Sequence, residues 1–440
     1  MNPCLCKQSS DKFQSYEDVE CYLNQLGMFH MDLGLNRMEK AKKDLGLHLT
    51  CPVIHVVGTN GKGSTATFLH SIALAHGFRA GIFTSPHFVT PLERIKMNDR
   101  LLPKAAWASL ATQAVQAVPD LTYFELLTVM SVMAFMFSEP DVLIYEAGLG
   151  AKSDATTAIP ADIVVFTPID LDHTNILGNT IKDIAEDKSY AIREGVKAVI
   201  TAPQKKEVEE ILRKRAKELR IPFYDFSSLS DMPSLVHLME NGKLQYELGL
   251  KGKHQFDNAQ TALLAWYVLS VQIKRCVETK AFAEGLYNAF IPGRFQQVKR
   301  KNDMPCLILD GAHNVHSLTS LVNTLEYEKI CPSAVIFSCL KDKEPQKMVA
   351  LLEDFLVKQK NEIPVIITEI QNNERAMQQD DLIKLFNCKT VQCKDLDEVL
   401  DKLPTMIDEK NKDSPVVICG SLFLLPEYFK RFPEKLQLSY

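Results

Sequence analysis

The residues best able to do chemistry lie in one run, Gly58-Thr59-Asn60-Gly61-Lys62-Gly63-Ser64, between a β-branched stretch, Val53–Val57, and an apolar-periodic segment from Ala66 to His76. That order reads as strand, glycine turn, helix. Glycines let successive N–H groups and a helix N-terminus converge on phosphate oxygens, which makes Asn60, Gly61, Lys62, Gly63, Ser64 and Thr65 a candidate nucleotide site. Lys62 would reach the terminal phosphates as a point charge, and the hydroxyl of Ser64, or of Thr65, would bind Mg²⁺. Only two residues separate Gly58 from Gly61, where the usual phosphate loop has four, so the flanking strand and helix carry as much of the argument as the glycines.

Other polar residues stand at strand ends. Glu146 closes the hydrophobic run from Val142 and opens onto Ala147-Gly148-Leu149-Gly150, the place for an acid that holds Mg²⁺; the bland alternative is a solvated strand-end carboxylate. Asp172 and His173 follow the strand Ile163–Phe166, where a lone histidine is either a metal ligand or a satisfied surface residue. Ser85 and His87 lie in a loop after the strand Ala80–Phe83, on the face where open α/β sheets bind ligands. Asn258 precedes an apolar segment, Ala259 to Val271, and reads as a helix N-cap. Arg294, Asp310 and His313 fall near the start of a second alternating region, from which they would face the nucleotide across an interdomain cleft.

The elements that must position these groups alternate between strand and helix patterns, which implies a mainly parallel sheet covered on both faces. The expected architecture is α/β: a phosphate-loop sheet domain over residues 1–292, with a short N-terminal helical segment, then a smaller Rossmann-like α/β domain over 293–440. Pro292-Gly293 after the helical pattern Thr279 to Phe290 marks the boundary. A chain of 440 residues is long enough for two or three cores.

Composition excludes several classes. Net charge is −5 with acids and bases interspersed and no long basic run, so neither a nucleic-acid groove nor an anionic membrane surface has an electrostatic footprint. The longest apolar run, Leu126 to Phe137, is too short to span a bilayer and reads as a buried helix. Eleven scattered cysteines without Cys-x-x-Cys spacing, and no apolar leader, point to reduced thiols and a cytoplasmic location.

Taken together, Gly58 to Ser64, Thr84-Ser85-Pro86-His87, Glu93-Arg94-Ile95, Tyr123-Phe124-Glu125, Glu146 to Gly150 with Asp154-Ala155-Thr156, Leu171-Asp172-His173-Thr174, Pro292-Gly293-Arg294-Phe295 and Asp310-Gly311-Ala312-His313-Asn314 resemble the folylpolyglutamate synthase and dihydrofolate synthase family of Mur-type ligases. The resemblance implies an ATP-dependent ligase that joins L-glutamate to dihydropteroate or a reduced folate through an acyl phosphate, with two Mg²⁺ ions. It assigns Ser64 and Glu146 to one metal and His173 to the second, beside a carbamylated lysine at Lys188; by pattern alone Lys188 is an ordinary exposed helix lysine. It further assigns Asn258, Arg294 and Asp310 to ATP and His313 to the entering glutamate. Met31-Asp32-Leu33-Gly34-Leu35, Ser85, His87, Thr122, Phe124 and Asp154 fall to the pterin-bearing substrate, as in the bifunctional members. A monomer is expected.

Two stretches depart from the family pattern: Ala151-Lys152-Ser153 stands where Gly-Arg-Leu is usual, and Ser189-Tyr190 where Ala-Gly is usual. Two alternatives remain at this point. One is a Mur-type ligase for a cell-wall nucleotide precursor, although only about 50 residues precede Val53, too few for a separate nucleotide-sugar domain. The other is a phosphate-loop binding module without ligation.

Overall fold

A computed structural model of the chain describes residues 13–28, 30, 32–231, 235, 239, 240, 243, 244, 246–301, 303–359, 362–371, 373–407, 411 and 413–436; Met31 lies outside them. The chain divides into two compact units, the first extending to Gly249 and including Phe256–Ala289, the second taking Leu250–Gln255 and continuing from Phe290.

The first unit is built on an eight-stranded sheet in the order β4-β3-β2-β5-β1-β6-β7-β8. Its strands are β1 (Val53–Val57), β2 (Ala80–Phe83), β3 (Ile95–Met97), β4 (Arg100–Leu101), β5 (Val142–Glu146), β6 (Ile163–Phe166), β7 (Ala198–Thr201) and β8 (Phe223–Tyr224). Across the sheet from β2 to β8 every pairing is parallel, whereas β3 pairs antiparallel with both β2 and β4. Every residue of β1 and β5 is buried, as continuous apolar strands in a sheet covered on both faces must be. One core cluster joins the sheet to Tyr16–Leu26, Lys104–Ala117 and Tyr123–Ser138, and another packs against Ile181–Ser189 and Lys206–Glu218. Beyond β8 two short segments, β9 (Met239–Glu240) and β10 (Lys243–Leu244), pair antiparallel.

The second unit carries six strands, β11 (Gln296–Val298), β12 (Leu307–Leu309), β13 (Ala334–Phe337), β14 (Val365–Ile367), β15 (Thr390–Gln392) and β16 (Val416–Cys419), in the order β11-β12-β16-β13-β14-β15. All are parallel except β11, which runs antiparallel to β12. The molecule is therefore a two-domain α/β protein with mostly parallel sheets.

Several expectations are corrected. The helix after the phosphate loop begins at Lys62, not Ala66, so Ser64 and Thr65 belong to its first turn. Asn258 does not cap a helix: that helix starts at His254, placing Asn258 a full turn inside it. The β3–β4 hairpin and β15 were invisible to periodicity, because strands of two or three residues with mixed burial hold too little pattern. Among the described residues no helix is long and apolar enough to cross a membrane.

Candidate active site

The loop from Gly58 to Gly61 leaves β1 at the centre of the sheet, between β5 and β6, where parallel strands present their carboxyl ends. It is pinned from β6: the amides of Thr59 and Asn60 both donate to the Pro168 carbonyl, at 3.0 and 3.2 Å. Gly61 ends the loop in the left-handed region, φ 83°, and caps the helix with no side-chain hydrogen bond, leaving first-turn N–H groups for an external anion. Lys62 Nζ rests on the Thr59 carbonyl at 3.2 Å. Thr65 is buried, and its hydroxyl finds no hydrogen-bond partner within the described residues.

Three further side chains converge on this loop. Glu146, only 4% exposed, is no solvated strand end. Its carboxylate lies 3.4 Å from where a Cβ on Gly63 would stand, and its Oε2 accepts the Ser85 amide at 2.9 Å. Asn258 Oδ1 lies 2.3 Å from where a Cβ on Gly61 would stand, so the amide covers the turn closely. Lys188, also 4% exposed, donates from Nζ to the Gly58 carbonyl at 2.9 Å, which corrects its reading as an ordinary surface lysine. Burial, and next the neighbouring Lys62 ammonium, bring the Lys188 amine down to about 7. Its helix is held against the Glu146 loop by Asp187, whose Oδ1 accepts the Ala151 amide at 2.8 Å.

His173 sits in the left-handed region, φ 49°, with a half-exposed ring 3.6 Å from the Asp172 carboxylate. Among the described residues no three His, Cys, Asp or Glu side chains form a metal-holding group. The Glu146 carboxylate, set against Gly63 in the first turn of the helix, nonetheless offers the oxygen chemistry that suits Mg²⁺, which takes one or two protein oxygens and completes its octahedron with phosphate and water.

The residues expected to meet the larger substrate fall in several places. Phe124 and Asp154 converge on Gly148: a Cβ there would lie 2.7 Å from Phe124 Cζ and 3.1 Å from Asp154 Oδ2, so only glycine admits both. The Asp154 carboxylate is buried, accepts the Leu149 and Thr156 amides at 2.7 and 2.9 Å, and has its pKa raised by desolvation. Ser85 and His87 flank a cis peptide bond at Ser85-Pro86. The His87 Nδ1 accepts from Arg94 Nε at 2.8 Å, and burial together with that cation brings the imidazole down to about 3. Thr122 is a helix N-cap, its hydroxyl receiving the Glu125 amide. Asp32 is exposed and ion-paired to Arg37 at 2.6 Å, Leu33 is exposed beside it, and among the described residues nothing lies within 4 Å of where a Cβ on Gly34 would stand. Arg37 also binds Glu125 at 2.8 Å, tying the Asp32-Leu33-Gly34 segment to the helix that carries Phe124.

In the second unit Asp310, half-buried just past the end of β12, accepts the Phe295 and Ala312 amides at 2.8 and 2.9 Å, desolvation raising its pKa against the opposing charge of Arg294. His313 is half-buried, with Nδ1 2.9 Å from the Gly311 carbonyl.

Sequence reasoning gave no role to Arg37, Arg94, Asp187 or His55, whose partners are set by the fold. The two departures from the family pattern meet in space: Lys152 Nζ lies 5.2 Å from the Tyr190 ring centroid, a cation–π contact.

Comparison with known proteins decides the family. Residues 56–266 match the Mur ligase middle domain, and residues 293–422 match the Mur ligase, glutamate ligase domain. The chain is 30% identical over 452 residues to the dihydrofolate synthase/folylpolyglutamate synthase of Bacillus subtilis, covering 95% of this chain and 99% of that protein. The chain belongs to the dihydrofolate synthase/folylpolyglutamate synthase family. As a member of that family it is an ATP-dependent ligase. Among solved structures of this family, Escherichia coli FolC in complex with DHPP and ADP superposes with a TM-score of 0.80 at 25% identity, covering 98% of this chain and 100% of that one. The bifunctional folylpolyglutamate synthase/dihydrofolate synthase of Yersinia pestis complexed with AMPPNP and Mn ion does so with a TM-score of 0.78 at 26% identity, covering 97% and 100%.

Proposed function

We propose that the protein adds L-glutamate to dihydropteroate and to reduced folates, with ATP converted to ADP and phosphate. The observation that carries this reading is the convergence of Lys62, Glu146, Lys188 and Asn258 on the Gly58–Gly63 loop. In the first step a substrate carboxylate oxygen attacks the γ-phosphorus and ADP leaves, giving an acyl phosphate. In the second the amino group of glutamate attacks the acyl carbon, phosphate departs and the nitrogen loses its proton.

Lys62 and the first-turn amides offset the negative charge of the transferring phosphoryl group, and Asn258 holds the nucleotide over Gly61. Ser64 and Glu146 would hold one Mg²⁺. His173 and a carbamylated Lys188 would hold a second; the unprotonated amine is the form that takes up CO₂, and burial favours it at Lys188. The bound ions supply electrophilic neutralisation of the phosphates. In the second domain, which we take to begin at residue 293, Arg294 and Asp310 serve ATP and His313 serves glutamate. Asp154, Phe124, Ser85, His87, Thr122 and the Asp32-Leu33-Gly34 segment serve the pterin-bearing acid. The protein acts as a cytoplasmic monomer.

The test is ADP release with Mg-ATP and L-glutamate, using dihydropteroate, tetrahydrofolate or a UDP-muramyl precursor as acid. Glutamate-dependent turnover with dihydropteroate and tetrahydrofolate supports the reading. Turnover with the muramyl precursor alone, or hydrolysis independent of any acid, overturns it.

A further inference from the structure

His55 lies in the middle of β1, three residues before the phosphate loop, and is 2% exposed. Such a position is normally apolar, yet its Nε2 is 2.8 Å from Thr156 Oγ1, and the Thr156 hydroxyl donates in turn to Asp154 Oδ1. A hydroxyl has one proton. With that proton committed to Asp154, Thr156 Oγ1 faces the ring as an acceptor, so Nε2 carries the imidazole hydrogen. The bonds therefore run one way, from His55 through Thr156 to Asp154, whose other oxygen accepts the Leu149 amide at 2.7 Å. Burial and the charge of Arg193 bring the His55 imidazole down to about 3, which keeps it a neutral, single-proton donor on that side.

We propose that His55 is a positioning residue for the pterin-bearing substrate: acting through Thr156, it fixes the Asp154 carboxylate beside Phe124 at the Gly148 turn, and thereby sets affinity for the heteroaromatic ring rather than for ATP. The inference rests on the assignment of Asp154 and Phe124 to that substrate. Two physical features support it. The carboxylate is desolvated, so each donor aimed at it strengthens its ionised form. A Cβ on Gly148 would meet both Phe124 Cζ and Asp154 Oδ2, so the carboxylate and the ring edge share one turn.

The experiment measures pteroate binding by fluorescence titration in the presence of Mg-ADP, alongside the affinity for ADP itself, with the wild-type full chain and with His55→Leu, His55→Gln and Thr156→Val. His55→Leu and Thr156→Val are expected to weaken pteroate binding about tenfold or more, with ADP affinity within about twofold of wild type. His55→Gln, which keeps an N–H donor, is expected to recover most of that loss. Thr156→Val interrupts the chain without touching β1, so it decides the matter if His55→Leu does not fold. Unchanged pteroate affinity in the folded variants, an equal loss of ADP affinity, or a wild type that binds no pteroate overturns the proposal. A wild type that binds pteroate but shows no glutamate-dependent ADP release overturns the ligase reading instead.

Discussion

Lys188 Nζ donates to the carbonyl oxygen of Gly58 at 2.9 Å, so a buried amine from a helix far along the chain holds the first residue of the phosphate loop. The amine's acidity follows from that burial. Its pKa in the fold is about 7, below the ordinary lysine value, so the folded state loses its proton before the unfolded chain does. The associated stability is present above the ordinary lysine pKa and is lost as pH falls toward 7. We expect activity of CO₂-depleted enzyme to rise on adding bicarbonate, more so above pH 7 than below it. In Lys188→Arg the bicarbonate response should vanish. A ¹³C carbamate resonance that appears with labelled bicarbonate in wild type and not in the variant checks the chemistry directly.

Lys62→Ala should lower glutamate-dependent ADP release by roughly 10²–10³-fold or more, because one preorganised cation facing the phosphates is removed. The side chain is only partly buried and rests on the Thr59 carbonyl, so the melting temperature should move little. Circular dichroism melts separate this outcome from unfolding.

Gly61→Ala places a Cβ 2.3 Å from Asn258 Oδ1, at a φ of 83° that alanine tolerates poorly. The backbone penalty is about 1 kcal/mol and the displaced amide adds to it. ADP affinity measured by calorimetry should drop at least tenfold, whereas pteroate affinity should follow it only weakly.

Arg37→Met leaves the Glu125 carboxylate, with 5% of its side chain exposed, without its cation, and unties the Asp32-Leu33-Gly34 segment from the helix that carries Phe124. Loss of one partner from a nearly buried pair costs about 3 kcal/mol. The change should therefore lower the thermal midpoint by several degrees and raise KM for the pterin-bearing acid more than KM for ATP.

His55 and His70 are both buried, with imidazoles brought down by desolvation to about 3 and about 4. Each binds a proton in the unfolded chain at a pH where the folded protein binds none. Stability from these sites is complete above the ordinary histidine pKa and is lost as pH falls, at about 1.4 kcal/mol per pH unit for each site between roughly pH 6 and 4. Urea melts at pH 7 and pH 5 check this, and His70→Gln should flatten the difference if it folds.

What the sequence determined by itself was local. The strand Val53–Val57, the glycine turn and the helix behind it are a continuous signal, and so is the acid closing the apolar run to Glu146; neighbours in the chain impose them through backbone preference and burial pattern. Alternation of strands and helices was enough for a two-domain α/β protein. Tertiary structure alone decided which side chains share an environment. Lys188 reaches Gly58 across 130 residues, His55 reaches Thr156 across 101 and Arg37 reaches Glu125 across 88, and no periodicity encodes such pairs. Burial decided their chemistry as well, because whether a lysine titrates near 7 or a histidine near 3 depends on how much water surrounds it, a property of the packed molecule and not of the residue type.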